Sequence, residues 1–208
     1  MRYNTLKTKN KNTREGILES ARRLFAQFGP KKTTIDEIAQ EAGVGKGTIY
    51  YYFNDKEDIF LKVVQEEAEQ LAGRLKSVAS GPENPEQKLT AVFMEKLRSF
   101  SDFVNLRWLY DFIDSGRWSG LKQETMALAQ KEQTLVEGIL KEGQSLGIFA
   151  IEDVSKIAQN LLRVVSALSK TLPQGMSPGE LKQSLEDMIE FILNGLRSRQ
   201  ELKPQSGE

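Results

Sequence analysis

The sequence predicts an all-α chain, on three observations. Apolar residues recur with the helical period along its whole length. No stretch shows the alternation of two that a half-buried strand needs. Breaks such as Gly29-Pro30 and the segment SGPENPEQ at 80–87 separate one periodic run from the next.

About nine helices follow in order. Ile17, Ala21, Leu24, Phe25 and Phe28 form an apolar stripe that Gly29-Pro30 ends. Thr34-Ile35-Asp36-Glu37 has the form of a capping box and opens a short helix closing near Gly43. A third short helix carries GVGKGTIYYYF, residues 43–53. Asp55 caps a fourth, whose stripe runs through Ile59, Phe60, Val63, Val64, Leu71 and Leu75. Asn84-Pro85-Glu86-Gln87 is a further cap with proline at the first helical position. The helix it opens is expected to reach about Asn105, followed by a shorter one over LRWLYDFID that Ser115-Gly116 ends. A long polar helix is expected from about Leu121 to Gly147. The last two start near Asp153 and at Ser177-Pro178-Gly179-Glu180. The polar end, 201–208, is expected to be a flexible tail.

Composition bounds the chemistry. Of 208 residues, 39% are hydrophobic and 28% charged, the balance of a water-soluble globular chain. No run approaches the roughly 20 apolar residues that span a bilayer, and the basic start MRYNTLKTKNKNTR has no apolar core after it. A cytoplasmic protein without membrane contact is the expectation. The chain has no cysteine and no histidine. It therefore lacks thiolate chemistry, the commonest general base and the commonest metal ligand. No metal and no cofactor is expected. Paired carboxylates such as Glu66/Glu67 and Asp111/Asp114 leave an α-bundle enzyme as a remote alternative, since the Glu-x-x-His spacing of di-metal bundles cannot be made.

Charge is zero overall but unevenly placed. Residues 1–56 hold eleven basic and six acidic side chains, a net of +5, and the remaining 18 basic and 23 acidic residues give −5. The basic section is the one suited to a polyanion.

Four aromatics in a row, Tyr50 to Phe53, cannot share one helix face, because successive residues turn by about 100°. With Ile49 and Phe53 inward, Tyr51 points away and Tyr50 and Tyr52 flank. Counted from Ile35 as first, Ala39 is fifth, Gly43 ninth and Ile49 fifteenth. A small residue where two helices cross, a glycine with positive φ in the turn and an aliphatic in the angle define a helix-turn-helix.

TTIDEIAQEAGVGKGTIYYYFNDKED closely resembles the DNA-binding region of the TetR family of bacterial transcription regulators, with motif detail over about 13–65. The residues carrying it are Thr33, Thr34, Glu37, Ile38, Ala39, Ala42, Gly43, Val44, Gly45, Gly47, Tyr50, Tyr52, Phe53 and Lys56. Gly45 departs from the serine or threonine of many members, which puts one hydroxyl contact to phosphate in doubt. The resemblance implies a helix-turn-helix domain at 1–55, a helical effector-binding and dimerisation domain at 56–200, and repression of a palindromic operator by a homodimer. An effector-independent DNA binder is the alternative. Resemblance also implies that Tyr50, Tyr52, Thr34 and Lys56 hold phosphates, and Thr33 belongs to the same candidate surface. Lys46 and Tyr51 are expected to reach base edges, with Thr48 at the rim and Gly45 and Gly47 allowing close approach. The basic arm before Thr13 either adds DNA contacts or is a solubilising tail.

The last two helices carry apolar arcs wider than the roughly 100° that a surface helix needs. A four-helix dimer interface is expected, using Ile157, Leu161, Val165, Leu168, Leu185, Met188 and Ile192. Aromatics concentrate in the middle of the chain. Phe93, Phe100, Phe103, Trp108, Phe112 and Trp118, with Arg107 as a polar anchor, are core formers that could also line the inducer pocket the resemblance implies. A lipophilic or aromatic small molecule is the expected effector.

Overall fold

The computed structural model describes residues 2–113, 119–171 and 178–196. The expected tail at 201–208 and the Ser177 cap lie outside these. Among the described residues there are nine helices and no strand: α1 Arg2–Phe28, α2 Ile35–Glu41, α3 Lys46–Tyr52, α4 Lys56–Ala79, α5 Pro85–Asp102, α6 Val104–Ile113, α7 Ser119–Ser145, α8 Val154–Thr171 and α9 Pro178–Leu196. The all-α expectation holds. Caps expected from sequence are formed: Asp58 N–H donates to Asp55, Gln87 N–H to Asn84 and Lys156 N–H to Asp153, at 2.7, 2.9 and 2.9 Å. The stretch before Thr13, an arm or tail by sequence, is the beginning of α1.

The fold divides into two compact units. One comprises residues 1–70 with 102–127, and the other 71–101 with 128–208. In the first unit Ile17, Ala21, Phe25, Ile38, Ile49, Phe53, Ile59, Phe60 and Val63 are buried. Phe25 of α1 meets Phe60 of α4 edge to face at 5.3 Å. Phe28, expected in the α1 stripe, is instead 51% exposed at the last position of that helix. There Gly29, with φ 79°, turns the chain. That glycine is also a point of close approach: a Cβ on it would sit 3.3 Å from the ring of Trp108 on α6.

Sequence periodicity carries one helix to Asn105, but the chain breaks at Phe103. The break has a tertiary cause. Glu67 of α4 is buried, and its carboxylate accepts the Leu106 N–H at 2.9 Å and the Asn105 side-chain amide at 2.8 Å. It thereby caps α6 from another helix. Asn105 also donates to the Arg22 carbonyl of α1 at 3.2 Å, and the Arg22 guanidinium pairs with Glu66 and Glu19.

The second unit sets α5 antiparallel to α7: Lys88 pairs with Glu142, and eight residues on Lys96 pairs with Glu132, ten residues back. Lys96 and Glu132 are both buried, with the ammonium 2.7 Å from each carboxylate oxygen. Gly143 of α7 faces Phe149, whose ring would lie 2.2 Å from a Cβ there. Ser155 of α8 donates to Glu137 of α7 at 2.8 Å. Gln133 and then Ser155, by bonding to it, hold the Glu137 carboxyl below its ordinary pKa. Ala150 N–H donates to the Leu196 carbonyl at the end of α9, at 2.8 Å.

Candidate nucleic-acid interface

The helix-turn-helix is built by short-range chemistry. Thr34 accepts the Glu37 N–H at 3.3 Å, and Glu37 accepts the Thr34 N–H at 2.7 Å, the reciprocal pair of a capping box. These contacts, the backbone bond first, hold the Glu37 carboxyl below its usual pKa. At the other end of α2, Gly43 and Val44 donate back to the carbonyls of Gln40 and Ala39 at 3.1 and 3.0 Å. This closure requires the left-handed φ of 65° that Gly43 adopts. The chain then enters α3 through Gly45, an N-cap with extended backbone and no side-chain bond. Arg23 ties α1 to α2 through Glu41 at 2.9 Å.

On α3, Ile49 is fully buried, and Phe53, just past its end, is 3% exposed. Each such side chain contributes roughly 1.5–3 kcal/mol on burial, which is what seats so short a helix. Tyr51 is 74% and Tyr50 53% exposed, while Tyr52 and Thr48 are half-buried. The Tyr51 and Tyr52 rings meet edge to face at 4.9 Å. A Cβ at Gly45 or Gly47 would touch nothing within 4 Å, and neither has a positive φ. Among the described residues nothing requires glycine at either place.

The remaining polar residues separate by role. Lys46 is exposed, and its ammonium lies 2.9 and 3.0 Å from the two carboxylate oxygens of Asp36. This hydrogen bond and charge raise the lysine's pKa above its ordinary value. Lys56 is half-buried and donates to the Thr33 carbonyl at 2.7 Å and, more loosely, to the Lys31 carbonyl at 3.4 Å. Thr34 is exposed, though its hydroxyl also donates to Glu37 at 2.9 Å. Thr33 is 1% exposed, and its hydroxyl donates inward to Gly29 at 3.0 Å and to Leu24 at 3.3 Å. Asp36 was not singled out by sequence. Its pairing with Lys46 depends on the angle between α2 and α3, which residue spacing does not show.

The other expected site residues are distributed between the units. Phe93 is buried in the second, and Phe103, Trp108 and the exposed Arg107 belong to the first. The side chains of Phe100, Phe112 and Trp118 lie outside the described ones, as do those of Leu168 and Leu185. Leu161 and Val165 are already buried within the single chain, and Ile157, Met188 and Ile192 are half-buried. Among the described side chains of α8 and α9, the large apolar groups that are exposed are Val164, at 42%, and Phe191, at 79%. Among the described residues no helix is long and apolar enough to cross a membrane.

A capped, glycine-turned pair of short helices with a polar-aromatic outer face is a helix-turn-helix. Residues 17–63 match the family described as bacterial regulatory proteins, tetR family. The chain is 26% identical over 189 residues to the HTH-type transcriptional repressor KstR2 of Mycolicibacterium smegmatis, covering 90% of this chain and 92% of that protein. It is 24% identical over 184 residues to the fatty acid metabolism regulator protein of Bacillus subtilis, covering 88% and 95%. A solved transcriptional regulator of the TetR/AcrR family from Thermobifida fusca superposes with a TM-score of 0.74 at 24% identity, covering 89% of this chain and 99% of that one. Residues 17–63 thus carry the DNA-binding helix-turn-helix described for the tetR family of bacterial regulatory proteins, and over most of its length the chain is similar to transcriptional regulators that share it.

Proposed function

We propose that the protein is a homodimeric repressor that binds a palindromic operator through α3 and is released by a lipophilic small molecule. One observation carries the DNA reading: Lys46 and Tyr51 face solvent directly above the buried Ile49 and Phe53. A helix seated by two apolar anchors and presenting a cation and a phenol suits the major groove, where lysine donates to guanine O6 and N7. In this reading Tyr50, Tyr52, Thr34, Thr48 and Lys56 lie along the phosphates, and Gly45 and Gly47 let the backbone approach. Thr33 supports the α1–α2 turn rather than touching DNA, since its hydroxyl is spent inward.

The division of labour proposed is DNA binding by 1–55 and effector binding and dimerisation by 56–200, in a cytoplasmic protein. A single seven-residue helix reads few bases, whereas two copies spaced by a helical turn of DNA read a palindrome. Val164 and Phe191, with Ile157, Met188 and Ile192 beside them, supply the apolar faces for a second copy. Leu161 and Val165 support those faces from beneath. A lipophilic effector accords with the mid-chain aromatics and with the similarity to the fatty acid metabolism regulator protein of Bacillus subtilis.

The test is selection of duplexes from a random library by the full-length chain, followed by fluorescence anisotropy across a salt series. The expected outcome is enrichment of an inverted repeat whose binding weakens steeply with salt. Enrichment of no sequence would sink the reading.

A further inference from the structure

We propose that Asp36 is a specificity-determining residue of the DNA surface, holding Lys46 in an ion pair that a neutral guanine edge can share and whose carboxylate repels an anionic phosphate. The proposal rests on the DNA reading above and adds a residue which that reading does not contain.

Between Thr33 and Asp55 the chain carries one basic residue, Lys46, and four acidic ones, Asp36, Glu37, Glu41 and Asp55. Three of the four acids serve the architecture. Glu37 completes the α2 cap, Glu41 pairs with Arg23 of α1, and Asp55 accepts the Asp58 N–H at the start of α4. Asp36 is different. Its carboxylate, 70% exposed, reaches from α2 to the outward-facing lysine of α3.

A carboxylate beside a polyanion costs affinity for every sequence alike, through plain charge repulsion. It repays that cost only by changing what the lysine does. A free Lys46 would settle on any phosphate, the sequence-independent part of binding. Paired with Asp36, its ammonium already has two oxygens at 2.9 and 3.0 Å. A phosphate brought to that ammonium also meets the Asp36 carboxylate and is repelled by it, whereas guanine O6 and N7 are neutral acceptors that can share the ammonium with Asp36. The raised pKa of Lys46 agrees with an ammonium that Asp36 stabilises in its charged form. The pair thus suppresses non-specific binding more than specific binding.

The test compares the wild-type chain with Asp36→Ala, Lys46→Ala and the double variant. Two duplexes are used, the sequence selected by the wild type and a scrambled duplex of the same length, each over a salt series. Asp36→Ala is expected to tighten binding to scrambled DNA about five- to tenfold, as one added phosphate contact per recognition helix would, and to steepen the dimer's salt slope by about two. The selected duplex should gain less, so the specificity ratio falls. In the Lys46→Ala background, removing Asp36 should leave that ratio and the slope nearly unchanged. Asp36→Asn, which keeps the shape of the side chain, should reproduce the Asp36→Ala result if thermal melting shows the latter to be impaired in folding. An unchanged ratio in both Asp36 variants would overturn the proposal, and so would an effect of equal size with Lys46 absent. Wild-type chain that binds neither duplex would instead defeat the DNA reading itself, and this proposal with it.

Discussion

Each unit of the molecule buries a glutamate, and the two treat it differently. Glu132 in the second unit meets an ammonium: Lys96 sits 2.7 Å from both its oxygens, and the pair is sealed on both sides. Glu67 in the first unit meets neutral donors, the Leu106 N–H and the Asn105 amide. The first arrangement cancels charge, whereas the second leaves a net charge to be solvated by dipoles at the start of a helix. Accordingly burial raises the Glu67 pKa, against the opposing pull of Asn105 and Leu106. A charge-cancelled pair fixes two helices together. A dipole-solvated carboxylate fixes a helix end, and its hold depends on proton concentration.

The largest effect should come from breaking the ion pair. Lys96→Met leaves Glu132 buried without its cation and is expected to cost about 3–5 kcal/mol in urea unfolding. Replacing both residues with apolar ones of similar size should recover most of that loss. A single variant as stable as the wild type would erase the contrast between the units. Next, Glu67→Ala strips the acceptor from two buried donors and should cost about 2–3 kcal/mol, with α6 losing amide-exchange protection first. Glu67→Gln keeps one acceptor and should cost less.

Titration sharpens the same contrast. Because the folded pKa of Glu67 lies above the unfolded 4.5, the unfolded chain ionises first as pH rises. Its contribution to stability is therefore full below 4.5 and is lost as pH climbs through the folded value. Urea midpoints of wild type and Glu67→Gln should diverge across that window, with the wild type falling more. Parallel profiles would mean that the carboxyl has the same pKa in the folded and unfolded chain.

The smallest effect belongs outside both interiors. Gly47 lies within α3 with open space where a Cβ would be. Gly47→Ala should stabilise the fold by up to about 1 kcal/mol while weakening DNA binding in the anisotropy assay. Stabilisation with unchanged affinity would mean that the backbone does not approach the duplex there.

What the sequence made legible was local. The Thr34–Glu37 box, the turn at Gly43 and the burial of Ile49 and Phe53 each depend on residues within a few positions, so spacing alone revealed them. What it concealed was distant. Glu67 and Asn105 lie 38 residues apart, and the helical period runs smoothly through Phe103, so the break between α5 and α6 left no mark. Lys96 and Glu132, 36 residues apart, read separately as ordinary charged positions. Periodicity also gave the width of the apolar arc on α8 without telling its inner half from its outer half. Leu161 and Val165 are buried in the chain's own interior, and Val164 is the exposed neighbour.

The bare entry to α3 limits how freely this helix can be transplanted. Seven residues with a glycine cap and no hydroxyl bond fall well short of the roughly 12–15 that a free helix needs in water. An excised peptide of 45–53 would be a coil, and a chimaera that exchanged this segment alone would inherit its letters without its shape. Retargeting must therefore move α2 and its lysine-holding aspartate along with the segment they support.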